Sequence, residues 1–253
     1  MKSLALAACL AVSLGVVTAA AAPALPAYVS TAVADKGRDA DRDADARRHP
    51  AELIAFSGVK AGDKVVDLIP GSAYFTKIFS KIVGPTGHVY MIWPNEYARE
   101  AQPDPVKNAE LAKAGYPNTS VLLQPGAAFS TPEPVDLVFT AQNYHDYPDK
   151  FMGKIDPMIL NRAVYKALKP GGVFVVVDHT AEAGSGMRDT DTLHRIDPAI
   201  VKQQVTGAGF VFEGESKVLR NPADDLKKLV FDKAIRGHTD QFIYKFRKPQ
   251  KAK

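Results

Sequence analysis

Val65-Val66-Asp67-Leu68-Ile69-Pro70-Gly71-Ser72-Ala73-Tyr74-Phe75-Thr76 is an apolar, β-branched run that turns abruptly into a helix. Lys64 to Ile69 reads as a strand buried on both faces, and Ala73 to Val83 puts Phe75, Ile78, Phe79 and Ile82 on one helical stripe. Pro70 and Gly71 interrupt both periods, so the turn lies between them. A strand feeding a helix through so short a turn begins a βαβ unit, and the small residues at 71–73 let a ligand approach the backbone.

The alternation continues outward. His88 to Trp93 is a second apolar run after Gly84-Pro85-Thr86-Gly87, Asn95 to Ala114 reads as a helix, and Ser120 to Gln124 and Val135 to Thr140 read as strands. Asp156-Pro157 and Asp197-Pro198 each pair an N-cap with an N1 proline, opening helices that end near Leu168 and at Gly207. Val173 to Asp178 is apolar enough for burial on both faces, and Phe210 to Leu219 and Asp240 to Phe246 supply an antiparallel edge. Upstream, Pro50 opens a short helix carrying Leu53, Ile54 and Phe56 that Gly58 stops. The pattern predicts one α/β domain, a doubly wound, mostly parallel sheet of seven strands with the last antiparallel, over residues 49–253.

The first 48 residues read differently. Met1-Lys2, the uncharged stretch Leu4 to Val17 and the small residues Ala19 to Ala21 have the layout of a secretory signal peptide over 1–22, which predicts a periplasmic or secreted protein. Pro23 and the absence of a Lys/Arg stop signal argue against a retained membrane span. Leu6-Ala7-Ala8-Cys9 spells a lipobox with too few residues before it, so a lipoprotein is not expected; cleavage would remove the chain's one cysteine. Residues 23–48 read as an Ala/Pro-rich tether and a charged leader. The 32 basic and 28 acidic residues among 253 are interspersed, giving a net charge of +4 and no basic stripe for nucleic acid; a small-molecule partner is expected, and oligomeric state is open.

Several of these segments, in this order, resemble the class I S-adenosylmethionine-dependent methyltransferases. They are Val65 to Thr76, Gly87 to Ile92, Val135-Asp136-Leu137-Val138-Phe139 with Asn143-Tyr144-His145-Asp146, Leu168-Lys169-Pro170-Gly171-Gly172 with Val173 to Asp178, and Gly207-Ala208-Gly209-Phe210. More narrowly the chain looks like an exported group of bacterial proteins described as predicted methyltransferases. The resemblance implies S-adenosylmethionine as cofactor, lying over Asp67, Pro70, Gly71, Ser72 and Tyr74. Of the family's three glycines in that turn only Gly71 is present, with Ile69 and Ala73 at the other places. Trp93 stands where the family has the acid that holds the ribose, and Glu96 is expected to replace it.

His145 is the expected general base, oriented by Asp146 or Asp149, with Asn143 and Tyr144 holding acceptor or cofactor. His179 ends a strand on the ligand side and joins the catalytic candidates. His194-Arg195 reads as a surface pair. No two of His145, His179 and His194 share a zinc-motif spacing, so a metal site would need three loops to converge, and none is expected. An exported accessory protein that keeps the fold without the cofactor is the rival reading.

Overall fold

The computed structural model describes residues 24–102 and 104–250. The proposed signal peptide, Cys9 included, lies outside them. Nine α-helices and seven strands are found among the described residues: α1 (Ala27–Val33), α2 (Asp45–Arg48), α3 (Pro50–Ser57), β1 (Lys64–Leu68), α4 (Tyr74–Val83), β2 (His88–Pro94), α5 (Asn95–Glu100), α6 (Asp104–Ala109), β3 (Thr119–Gln124), β4 (Val135–Ala141), α7 (Pro157–Ala167), β5 (Leu168–His179), α8 (Thr190–Leu193), α9 (Pro198–Gly207), β6 (Val211–Ser216) and β7 (Gln241–Arg247). The strands form one sheet in the order β3-β2-β1-β4-β5-β7-β6. β1 to β5 are parallel, and β7 runs antiparallel to both β5 and β6.

Strand alternation divides the core between the two faces. Val65, Leu137, Val175 and Ile243 pack against α1, α3 and α4, while Val66, Leu68, Val138 and Val176 pack against α7 and α9. The central strands are therefore apolar on both faces, as their sequence requires. The two Asp-Pro caps form: Asp156 accepts from the Met158 N–H and Asp197 from the Ala199 N–H.

Two expectations change. Residues 27–48 are folded onto the domain. Val29 and Ala32 of α1 join the core, and a 3₁₀ helix at Lys36–Ala44 follows. Several charges of this leader are paired: Arg38, fully buried, bonds to the Val33 carbonyl and to Asp45 at 2.8 Å, and Lys77 reaches Asp41 at 2.8 Å. The expected helix over 95–114 is two short helices, with Pro105 in the first turn of the second, where a missing N–H costs nothing. The expected antiparallel edge forms from β7 and β6. Residues 217–240 between them hold no helix or strand and cross the carboxyl ends of the sheet, where Val230 donates to the Leu193 carbonyl at 3.2 Å.

Candidate functional site

The carboxyl ends of β1, β2, β4 and β5 surround a cavity of about 660 Å³. This is the switch point of the sheet, where the strand order reverses after β1, and where open α/β sheets bind ligands.

The β1–α4 turn forms one wall. Ile69, Gly71 and Ala73 all have left-handed backbones, with φ of 57°, 56° and 63°. The turn thus keeps the conformation of a three-glycine pattern although only one glycine remains. A β-branched residue at positive φ costs on the order of 1–3 kcal/mol, so other contacts must hold it. They are present: Ile69 N–H donates to the Ile92 carbonyl at 2.9 Å, and Asn143 Nδ2 donates to the Ile69 carbonyl at 3.0 Å. Gly71 faces open space, with nothing within 4 Å of where a Cβ would stand. Asn108 Nδ2 donates to the Gly71 carbonyl at 3.2 Å and is itself fixed by Trp93 Nε1 at 3.1 Å.

Of the residues proposed from sequence, Asp67, Pro70, Gly71, Ser72, Trp93, Asn143, His145 and His179 line the cavity, and Tyr74, Tyr144 and Glu96 do not. Tyr74 turns away, bonding to Asp45 and lying under the guanidinium groups of Arg38 and Arg48. Tyr144 is buried between Gln204 and Asn161. Glu96 is held by the Gly126 N–H at 2.9 Å, so it cannot fold back to replace the missing acid. Glu100, at the end of α5, and Asp104, at the start of α6, do reach the cavity. Arg48 lines it too, and its Nε has no partner among the described residues. Nothing in the sequence pattern singled these three out.

Asp67 is buried beneath the turn, accepting from the Thr76 hydroxyl at 2.5 Å. Burial pushes its carboxyl up to about 7, against the opposing pull of Thr76 and Arg48. Between about pH 4 and 7 the folded chain therefore keeps a proton that the unfolded chain has released, so stability falls as pH rises across that window. Asp67→Asn is expected to lose less stability than wild type between pH 5 and pH 8, a difference on the order of a few kcal/mol. Urea midpoints of both proteins at the two pH values check it, and parallel losses would contradict it.

The opposite wall is a histidine cluster. His145, in the turn after β4, is 2% exposed. Its Nδ1 lies 2.7 Å from one oxygen of Asp178, which is fully buried, and its backbone N–H donates to the other oxygen at 2.9 Å. Asp178, at the end of β5, is thus the orienting group; Asp146 and Asp149 are not. Nε2 of His145 faces His194 Nδ1 and Asp146 Oδ1, each at 3.2 Å. Burial would lower the His145 pKa, but the carboxylates of Asp178 and Asp146 raise it to about 9. That direction favours the protonated ring and weighs against the expected role of a general base. His179, beside it, accepts or donates through Nδ1 to the Thr239 hydroxyl at 2.7 Å and is held neutral, its pKa lowered to about 3 first by burial. His194 stands over the cavity against Phe231 of the 217–240 segment, with ring centroids 5.0 Å apart. Its neighbour Arg195 is no surface residue: it is fully buried and paired with Asp224 at 2.9 and 3.1 Å.

The seven-stranded mixed sheet is the fold of class I S-adenosylmethionine-dependent methyltransferases. The N-methyltransferase NodS from Bradyrhizobium japonicum WM9, in complex with S-adenosyl-L-homocysteine, superposes with a TM-score of 0.57 over 88% of this chain and 97% of its own, at 17% identity. A putative sarcosine dimethylglycine methyltransferase from Galdieria sulphuraria gives 0.58 over 87% and 90%, and the 4+2 cyclase SpnF gives 0.58 over 86% and 85%, both at 17% identity. In sequence, 130 residues are 32% identical to a ubiquinone/menaquinone biosynthesis C-methyltransferase of Saccharophagus degradans, covering 50% of this chain and 47% of that protein. Another 129-residue match, at 29%, is to a protein-L-isoaspartate O-methyltransferase of Ignicoccus hospitalis, covering 50% and 52%. The chain spans about half the length of the curated relatives it matches. No protein-family model matches it.

Proposed function

We propose that this protein is an S-adenosylmethionine-dependent methyltransferase acting on a small acceptor, and that it works outside the cytoplasm. The observation that carries the reading is the cavity itself, with the strained Gly71 turn on one wall and the His145–Asp178 pair on the other. The residues present fit the cofactor: Gly71 leaves the space a close backbone approach needs, Glu100 and Asp104 supply acidic acceptors on the β2 side, and Trp93 and Phe75 give apolar walls. The volume lies in the range of roughly 300–1,000 Å³ that small ligands occupy.

When bound, S-adenosylmethionine supplies a methyl group on a sulfonium sulfur, open to displacement by a nucleophile. The chain's own part is positioning and charge. Asn143 ties the β1 turn to the end of β4 through the Ile69 and Ala141 carbonyls, fixing the two walls relative to each other. His145, oriented by Asp178, presents Nε2 on the acceptor side, where Asp146 and His194 form the place to which an acceptor's proton can pass. The segment 217–240 carries Val230 and Phe231 over the opening and limits water access.

The test is to incubate the full chain and a cell extract with S-adenosylmethionine labelled in its methyl group. The reading expects label in the small-molecule fraction. Label in protein would make the acceptor a macromolecule, as for the isoaspartate methyltransferase it resembles in part. The second reading, a fold kept for binding without methyl transfer, is favoured by one observation: Trp93 occupies the place of the ribose-binding acid and is committed to Asn108. It expects no label in either fraction.

A further inference from the structure

We propose that His145, Asp146 and His194 form a binding site for a divalent transition-metal cation of the zinc or cobalt(II) type, opening into the cavity. Three loops that no sequence spacing connects converge here: the turns after β4 and α8 bring the ligands, and the end of β5 supports them.

The geometry is that of a three-ligand facet. His145 Nε2, His194 Nδ1 and Asp146 Oδ1 are separated by 3.2, 3.2 and 3.7 Å. Ligand atoms about 2.0–2.2 Å from a tetrahedral ion stand about 3.3–3.6 Å from one another. A purely hydrogen-bonded account fits less well. The single hydrogen on Nε2 has two acceptors at the same long 3.2 Å, whereas the Nδ1 of the same ring makes one short contact of 2.7 Å. An ion at the centre of the three atoms satisfies all of them at once.

The surroundings agree. His145 passes its other ring nitrogen to Asp178, the carboxylate–histidine arrangement that orients a metal-bound imidazole and raises its basicity. A further carboxylate, Asp149, lies behind the cluster, 2% exposed and with no hydrogen bond to either oxygen. The His194 side chain is 29% exposed, which gives an ion a way in and leaves its open position toward the cavity. Two imidazoles and one carboxylate with open positions suit transition metals over magnesium or calcium, which prefer all-oxygen sets. Within the proposed function the ion would stand where the acceptor's nucleophile is placed, but the site rests on its own geometry and not on cofactor binding.

Chelator-treated full chain is titrated with Zn²⁺ by calorimetry and with Co²⁺ by visible absorption. One ion per chain is expected, with intense low-symmetry cobalt bands. His194→Ala should weaken Zn²⁺ binding at least ~100-fold, and Asp178→Asn about 10–100-fold. His88→Ala, at the amino end of β2 beside Ser120 and away from the cavity, should leave it unchanged. Circular dichroism checks that each variant is folded; if His194→Ala fails, Asp146→Asn replaces it. No stoichiometric binding by wild type, or equal affinity in the His194 and His88 variants, overturns the site. Titration of the same metal-free sample with S-adenosylhomocysteine separates the two readings: that ligand can bind while zinc fails, and zinc can bind while that ligand fails.

Discussion

Asp178→Asn is expected to lower methyl-transfer turnover by ~100-fold or more while S-adenosylhomocysteine affinity changes only a few-fold. The carboxylate makes three contacts, with His145 Nδ1 at 2.7 Å, His145 N–H at 2.9 Å and His179 N–H at 2.8 Å, and it is fully buried. Its own pKa is lowered because, although burial opposes ionisation, the charge and hydrogen bond of His145 outweigh it. An amide of the same shape keeps an acceptor for only one of the two backbone N–H groups, which reach different oxygens, and removes the charge beside His145. The ring then loses its fixed direction toward His194 and Asp146, which lie on the acceptor side. The Gly71 turn, on the opposite wall, is untouched. Turnover and ligand affinity should therefore separate: a variant that loses both in proportion would show that Asp178 only supports the fold.

Arg195→Met is expected to cost about 3–5 kcal/mol of folding stability, the usual penalty for removing one partner of a buried ion pair. For a chain of this size that is a melting shift of roughly 6–20 °C. Arg195 and Asp224 have fully buried side chains, and the guanidinium also donates to the carbonyls of Thr180 at 3.0 Å and Lys228 at 2.9 Å. It is thus the clamp that ties the end of β5 to the segment crossing the cavity. Without it, Asp224 is an uncompensated buried charge, still accepting from the Asp240 and Leu226 N–H groups. Asp224→Asn removes the charge and keeps an oxygen for one of those two donors, which reach different oxygens. Arg195→Met combined with Asp224→Asn should consequently melt higher than Arg195→Met alone. Additive losses in thermal melts of the three variants would contradict the account.

The fold was legible in the sequence where burial imposes a period. Val173 to Val177 is apolar throughout because β5 lies between β4 and β7 with helices on both faces, and the two Asp-Pro caps announce α7 and α9. The segment 217–240 left no such mark, since a chain that crosses the sheet without helix or strand has no period to read. The leader at 27–48 was misleading for a related reason. Alternating charges usually mark a solvated face, but Arg38, Asp45 and Asp41 are paired with one another and with the domain.

The site was legible only in part. A turn, a strand end or a histidine can be placed from local sequence, and the cavity does gather Gly71, Asn143, His145 and His179. Convergence of distant loops cannot be placed that way. His194 is 49 residues from His145 and meets it only because α8 sits beside the turn after β4. The Glu96 expectation failed on a side-chain choice, the Gly126 N–H, that spacing does not encode. One signal was available: Asp178-His179, an acid and an imidazole together at the end of the most apolar strand, where charge is costly unless it is paired.

The account's central claim is that the strained turn at Gly71 opens a cofactor site. Its most direct test is calorimetric titration of the full chain with S-adenosylhomocysteine, beside Gly71→Val, whose side chain would enter the cavity from a position at φ 56°. The account predicts one ligand per chain for the wild type, with binding lost in the variant while its fold is retained. No heat from the wild type at millimolar ligand, or equal binding by both proteins, would contradict it.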